Sequence, residues 1–238
     1  MSLSARASST EEIAGWREMY RAEMKCQVVH DNMHFRPEWT ESYLLESDDA
    51  IAGYGSVLIA GPWTGTRTLF EFYVMPQFRS LSFALFECLL ATSRSDAMEI
   101  QSNDSLITVM FHTYARNVEC ESIVFADQLT TSLKVENAQV KQRPGAASEF
   151  DLEVNGEAVG NGGILYHYNR PYGDVFMEIA ENHRLRGYGS YLTQELKRIC
   201  YERGGIPAAR CNRQNVHSRK TLQKAGFVPY SLILLGKL

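Results

Sequence analysis

The chain has 238 residues, of which 45% are hydrophobic, 22% charged and 11% aromatic, and this balance excludes a disordered or fibrous protein. The formal net charge of -4 argues against nucleic-acid binding, which requires a basic face to neutralise phosphates. Five scattered cysteines without a CxxC pair predict reduced thiols in a cytoplasmic protein, not a disulfide scaffold or a metal site. No signal peptide is visible and no apolar run approaches the roughly 18 residues of a membrane helix, so we expect no membrane association.

The first half of the chain alternates helical and strand patterns. Apolar residues at helical spacing predict an amphipathic helix over residues 11–24, with Glu11 and Glu12 in its first turn, where the helix dipole favours acids. Glycine and proline then separate shorter apolar runs. These runs predict strands at 50–60, 68–75, 97–101 and 121–126, and helices at 81–93 and 106–115.

The second half repeats this order of elements. Strands flank Asn155 and Gly156, a pair that is the strongest short-range signal for a two-residue hairpin turn. A long helix follows a glycine-bearing loop, and Gly204 and Gly205 end it. The patterns predict strands at 150–154, 158–168, 174–180, 208–211 and 227–235, with the long helix before residue 204 and a second helix at 216–225.

The repeated order indicates an internal duplication. Aligning Val74 with Ile179 sets matching elements 105 residues apart, although few residues are identical across that offset. We therefore expect two tandem domains, 1–127 and 128–238. The helix at 11–24 has no predicted counterpart between residues 128 and 149. The duplication is compatible with a monomer, but it does not fix the oligomeric state.

The most informative stretch is Arg184-Leu185-Arg186-Gly187-Tyr188-Gly189-Ser190, which follows a strand and opens a helix. The first turn of a helix has backbone N–H groups without partners, and the helix dipole adds partial positive charge there. Glycine at 187 and 189 lets an oxygen approach the backbone closely. This arrangement suits a pyrophosphate, although a helix cap with solvated arginines would show the same spacing.

Two motifs in this half resemble one family. Arg184-x-x-Gly187-x-Gly189 resembles the R/Q-x-x-G-x-G/A signature of the GNAT N-acetyltransferase superfamily, whose loop holds the pyrophosphate of coenzyme A. The second motif resembles that family's N-x-x-A/S helix ending in K-x-G-F, at Asn215, Ser218, Lys224, Gly226 and Phe227. The motifs cover about the last 65 residues, and the strand order extends the resemblance to about residue 145.

The resemblance implies an α/β (α+β) fold, with a mixed, mostly antiparallel twisted sheet flanked by helices. Its two central strands, at 174–180 and 208–211, would splay and hold the pantetheine of acetyl-CoA between them. Acetyl-CoA is the implied co-substrate, and no metal is implied. The implied binding residues are Met177, Ile179, Arg184, Arg186, Gly187, Tyr188, Gly189, Ser190, Asn215 and Ser218.

The amino-terminal half carries a weaker form of the loop. Its aligned positions read Arg79-x-x-Ser82-x-Ala84, so a residue with a Cβ atom replaces the first glycine. Such a loop is less able to wrap a phosphate. We therefore expect a degenerate copy that does not bind coenzyme A.

Direct attack of an amine on a thioester requires a base, because a free amine with a pKa of about 10 is protonated at neutral pH. Glu178 is the candidate base or substrate anchor, although it is out of phase with Met177 and Ile179 unless a bulge re-aims it. The family's usual acid, a tyrosine, corresponds to Leu222, which cannot donate a proton.

We therefore expect an N-acetyltransferase that acts on a small-molecule or peptide amine. Two alternatives remain open. The protein could transfer a longer acyl group, or it could be a regulatory or interaction module that binds coenzyme A without turnover, which the leucine at position 222 would favour.

Overall fold

The computed structural model describes residues 2–27 and 31–238, which form a mixed α/β protein with mostly antiparallel strands. The strands are β1 (Leu3–Ser8), β2 (Thr40–Ser47), β3 (Ala50–Leu58), β4 (Thr68–Val74), β5 (Ala97–Gln101), β6 (Arg116–Asp127), β7 (Ala138–Gln142), β8 (Glu149–Val154), β9 (Glu157–Leu165), β10 (Tyr172–Ile179), β11 (Ile206–Asn212) and β12 (Phe227–Lys237). The helices are α1 (Thr10–Met24), α2 (Asp31–His34), α3 (Ser82–Ser93), α4 (Ser105–Tyr114), α5 (Tyr188–Glu202) and α6 (Val216–Lys224). None of these helices is long and apolar enough to cross a membrane.

The chain divides into two compact units. The first runs up to Glu121 and includes Leu232–Leu238, and the second is Ser122–Ser231. Neighbouring strands in the first unit follow the order β1-β2-β3-β4-β5, completed by the end of β12. Those in the second follow β7-β8-β9-β10-β11, completed by the end of β6. The strands of each unit are therefore completed by part of a strand that the chain order assigns to the other half.

Local sequence signals explain why several elements begin and end where they do. Ser9 caps α1, because its hydroxyl accepts from the Glu12 amide at 3.2 Å while the Glu12 carboxylate accepts from the Ser9 amide at 3.1 Å. The predicted hairpin is confirmed, since Asn155 and Gly156 join β8 to β9 with φ angles of 52° and 81°. The predicted helices correspond to α1, α3, α4, α5 and α6.

The sequence patterns missed three strands, two of which are edge strands. These are β1, β2 and β7, of which β1 and β7 have no more than partly buried residues, so a strong apolar alternation is absent. The expected asymmetry is confirmed, because β7 is followed by β8 without a helix, whereas α1 and α2 separate β1 from β2.

In the first unit, α1 lies on the sheet through a buried ion pair. Arg17 donates two hydrogen bonds to the Glu71 carboxylate, at 2.9 and 3.1 Å, and the Tyr54 hydroxyl donates a third at 2.9 Å. Burial alone would raise the pKa of Glu71, but the charges of Arg17 and His34 outweigh it and hold that pKa well below its usual range. A cation therefore lies against this face of the sheet in the first unit.

Candidate functional site

The site is built around a gap between two parallel strands of the second unit. Residues Tyr172–Asp174 of β10 pair with Ile206–Ala208 of β11, and the pairing of these two strands ends there. Both strands continue, β10 to Ile179 and β11 to Asn212. This is the splay that the resemblance implied, and it leaves one backbone edge of β10 available to an extended ligand.

The turn after β10 presents backbone amides at the start of α5. Gly187 takes the N-cap position with φ 86°, and no side chain caps the helix. By contrast, α6 is capped by the Asn215 side chain, which accepts from the Ser218 amide at 2.9 Å. Leu185 also has a positive φ, 61°, which is strained for a residue with a side chain. Uncapped amides beside such a turn form an anion-binding concavity.

Three cationic side chains lie near this turn. Arg184 donates from Nε to the Ile179 carbonyl at 3.0 Å, which fixes the end of β10, and Arg186 donates to the Asn182 carbonyl at 3.2 Å. The Lys224 ammonium lies 3.8 Å from the place that a Cβ atom would take at Gly187. Lys224 belongs to the second family motif, but the resemblance assigns it no role. In the structure its ammonium lies near the turn.

The second glycine is required by close packing. A Cβ atom at Gly189 would lie 3.2 Å from the Thr221 methyl group and 3.4 Å from the Met177 sulfur. The Ser190 hydroxyl donates to the Thr221 carbonyl at 3.2 Å, and Tyr188 packs against the core of the second unit. Gly189 therefore lets α5 approach α6 and β10, while Ser190 and Tyr188 hold that arrangement.

Asp174 stands at the point where the strands separate. Its carboxylate is 3.5 Å from Arg210 Nε and 3.8 Å from His167 Nε2, and only 6% of the residue is exposed. Burial raises the pKa of Asp174 to about 6, although Arg210 and a hydrogen bond from Tyr168 partly offset this. A buried carboxylate whose pKa lies near neutrality, in a cleft, is a candidate catalytic group.

A cleft of about 250 Å³ opens beside Asp174. Besides Asp174, its wall includes Val175, Met177, Thr193, Ser218 and Leu222, which come from β10, α5 and α6. Leu222 is 4% exposed, so the position of the family's tyrosine carries only apolar surface here. Burial raises the pKa of the Cys211 thiol, which favours a neutral core thiol over a nucleophile.

Glu178 lies further along β10 and is exposed. The pairing of β10 with β9 is in unbroken register from Asp174 to Ile179, so no bulge turns Glu178 toward Met177. Register shifts occur between other strands, namely β2 and β3, β3 and β4, and β8 and β9. Asp174 is the carboxylate that lines the cleft, and the sequence analysis missed it.

The aligned loop in the first unit has a different conformation. Arg79 donates from Nε to the Val74 carbonyl at 3.2 Å, the equivalent of the bond from Arg184 to Ile179. Ser82, however, has a helical φ of −55°, and its hydroxyl donates to the Arg79 carbonyl at 2.8 Å. A hydrogen bond between two of its own residues therefore holds this turn. That this half does not bind coenzyme A stays a prediction.

Among residues 2–27 and 31–238, no group of three or more His, Cys, Asp and Glu side chains is arranged to hold a metal ion.

Splayed strands followed by an uncapped helix start are the arrangement that the resemblance implied, and the comparisons agree with that fold. The sequence model described as the acetyltransferase (GNAT) family matches residues 113–227. This segment therefore belongs to the GNAT acetyltransferase family, whose fold implies binding of an acyl-CoA. Comparison with the curated proteins finds no significant match.

Solved structures share the fold at low sequence identity. A GNAT-family acetyltransferase from Colwellia psychrerythraea is 14% identical with a TM-score of 0.71, covering 98% of this chain and 99% of that one. A GCN5-related N-acetyltransferase from Sphaerobacter thermophilus is 13% identical with a TM-score of 0.64, covering 99% and 95%. A tandem GNAT protein from the clavulanic acid biosynthesis pathway is 11% identical with a TM-score of 0.63, covering 99% and 98%.

The raised pKa of Asp174 predicts a pH-dependent stability. The folded state favours the neutral carboxyl of Asp174. Its contribution to the free energy of unfolding is therefore fully present below the ordinary pKa near 4 and is lost as pH rises through about 6. We expect Asp174→Asn to gain about 2 kcal/mol relative to wild type between pH 4 and pH 7.5. Urea unfolding at both pH values measures this difference.

Asp151→Asn is the control, because the hydrogen bond from Arg143 lowers the pKa of Asp151 and the sign of the effect reverses. A stability difference between Asp174→Asn and wild type that does not change with pH would contradict the assignment.

Proposed function

We propose that the protein is an N-acetyltransferase that moves an acetyl group from acetyl-CoA to an amine. The observation that carries this proposal is the uncapped start of α5 at Gly187, next to Lys224 and at the end of the splayed strand β10. A pyrophosphate accepts hydrogen bonds from such amides and gains from the neighbouring positive charge. An extended amide chain in turn suits the unpaired edge of β10.

The proposed contacts follow from these positions. The backbone of Met177 and Ile179 would bond the pantetheine amides, with the Ile179 carbonyl already shared with Arg184. The loop from Arg186 to Ser190 would hold the pyrophosphate. Ser218 borders the cleft, and Asn215 orders its amide, so both would support the coenzyme arm.

Asp174 is the base in this proposal. The amine nitrogen bonds to the thioester carbonyl carbon, the nitrogen loses a proton to the Asp174 carboxylate, and the carbon–sulfur bond breaks. The thiolate, with a pKa of about 8.5, takes its proton from water, so no tyrosine is needed at position 222. A carboxylate with a pKa near 6 is ionised at neutral pH and can accept this proton.

The first unit is, in this proposal, a degenerate tandem copy. Its strands follow the same order, and Arg79 repeats the hydrogen bond of Arg184 at the aligned position. Ser82 replaces the wrapping glycine, so this unit would contribute structure and no second coenzyme site.

We expect Gly187→Ala to weaken the binding of coenzyme A at least about tenfold, because a methyl group enters the turn that approaches the phosphate. Equilibrium dialysis with coenzyme A measures this change. Gly204→Ala is the matched control, since Gly204 also has a positive φ, 76°, and open space around its Cβ position.

Both variants carry the same backbone strain, and neither has a clash to disturb folding. An equal effect of the two substitutions on coenzyme affinity would place the phosphate elsewhere.

A thiol-release assay with acetyl-CoA against amines, amino acids, peptides and aminoglycosides tests the transfer itself. For an accepted amine, we expect kcat, which reports ionisations in the bound complex, to rise about tenfold per pH unit below pH 6 and then level off, as Asp174 ionises. Asp174→Asn should lower kcat by a factor of about 10² to 10⁴ and remove this inflection.

If Glu178→Gln removed the inflection and Asp174→Asn did not, Glu178 would be the base. Tight coenzyme binding without transfer to any amine would favour the regulatory module over the enzyme, and transfer from longer acyl-CoAs alone would favour the acyl-chain alternative.

A further inference from the structure

One face of the sheet in the second unit carries Asp174, Phe176 and Glu178. Side chains alternate along a strand, and Val175, Met177 and Ile179 pack on the opposite side with the core under α5. Phe176 is 36% exposed and Glu178 is exposed, whereas Asp174 is buried at the cleft. An exposed aromatic ring thus lies between a buried and an exposed carboxylate.

Some acidic side chains on this face form ion pairs, and Glu178 does not. Asp151 and Glu149 of β8 lie across β9 from Glu178 and Phe176, and Arg143 pairs with both acids. Among residues 2–27 and 31–238, no ion pair involves Glu178. An unpaired carboxylate beside an aromatic face is the environment that attracts an organic cation.

The first unit shows a cation on the corresponding face. The offset that aligns Val74 with Ile179 also aligns Glu71 with Phe176, and there α1 brings Arg17 against the strand. The second unit has no helix between β7 and β8 to supply such a group. In the first unit the guanidinium of Arg17 fills this position, whereas in the described part of the second unit, residues 122–231, no ion pair brings a cation to Glu178.

The two ends of the face favour different charge states. Arg210, 3.5 Å from Asp174, offsets the negative charge of this carboxylate, so a positive charge on the acceptor gains little at this end. Glu178 and Phe176 instead favour a positive charge at the far end. Asp174 and Glu178 are four residues apart, so their Cα atoms are roughly 13 Å apart along the strand.

Building on the proposed transferase activity, we infer that the acceptor is an extended amine with a second positive charge, whose reacting nitrogen lies at Asp174 and whose distal cation lies on Phe176 and Glu178. Glu178 is then a specificity-determining residue. A linear diamine or polyamine that spans about the length of this strand segment fits the arrangement.

The test compares octanediamine and decanediamine with the amino alcohols of the same lengths, using acetyl-CoA and thiol release. We expect kcat/KM to be about five- to thirtyfold higher for a diamine than for its amino alcohol, and this ratio to fall with added salt. Glu178→Gln should bring the ratio close to one. Glu136→Gln, which removes the same charge from an exposed site elsewhere in this unit, should keep the wild-type ratio.

Equal rates for the diamine and the amino alcohol, or a ratio that Glu178→Gln leaves in place, would overturn this inference while leaving the transferase intact. Transfer to other amines but to neither of these acceptors would also overturn it. Failure of every amine in the broad panel, with coenzyme A still bound, would instead contradict the proposed function.

Discussion

The site depends on one gap in backbone hydrogen bonding. β10 and β11 stop pairing after Asp174 and Ala208, and β10 then runs into a helix whose first amides have no side-chain cap. Backbone groups that lack a partner favour a ligand that supplies one. A ligand with an extended amide chain that ends in a pyrophosphate satisfies both the strand edge and the helix start, so recognition lies mainly in the backbone. The Arg184 side chain fixes the end of β10 by its hydrogen bond to the Ile179 carbonyl, and Lys224 adds positive charge near the turn.

The helices and the central hairpin could be predicted because their signals are local. The capping residues of α1 and the Asn155-Gly156 turn act within a few residues of where they stand. The edge strands β1 and β7 could not, since their residues are at most partly buried and show no strong apolar alternation. The placement of β6 and β12 depends on pairing across most of the chain, which no local pattern records.

The candidate site likewise has a part that could be predicted from the sequence and a part that could not. The glycine turn was predictable, because the steric freedom of Gly187 and the amides of a helix start belong to the sequence itself. Asp174 was not, because burial raises its pKa and Arg210 on another strand only partly offsets this rise, and no local pattern records either effect. Lys197 shows the same limit, since no local pattern predicts that its ammonium is buried against Asp127 and the Leu129 and Ala225 carbonyls.

The most direct test of the central claim is isothermal titration of the whole chain with coenzyme A and with pantetheine, which lacks the nucleotide and pyrophosphate. Two or more charge-assisted hydrogen bonds at the turn predict saturable binding of coenzyme A and at least about a hundredfold weaker binding of pantetheine. No saturable binding of coenzyme A, or equal affinity for the two compounds, would contradict the account.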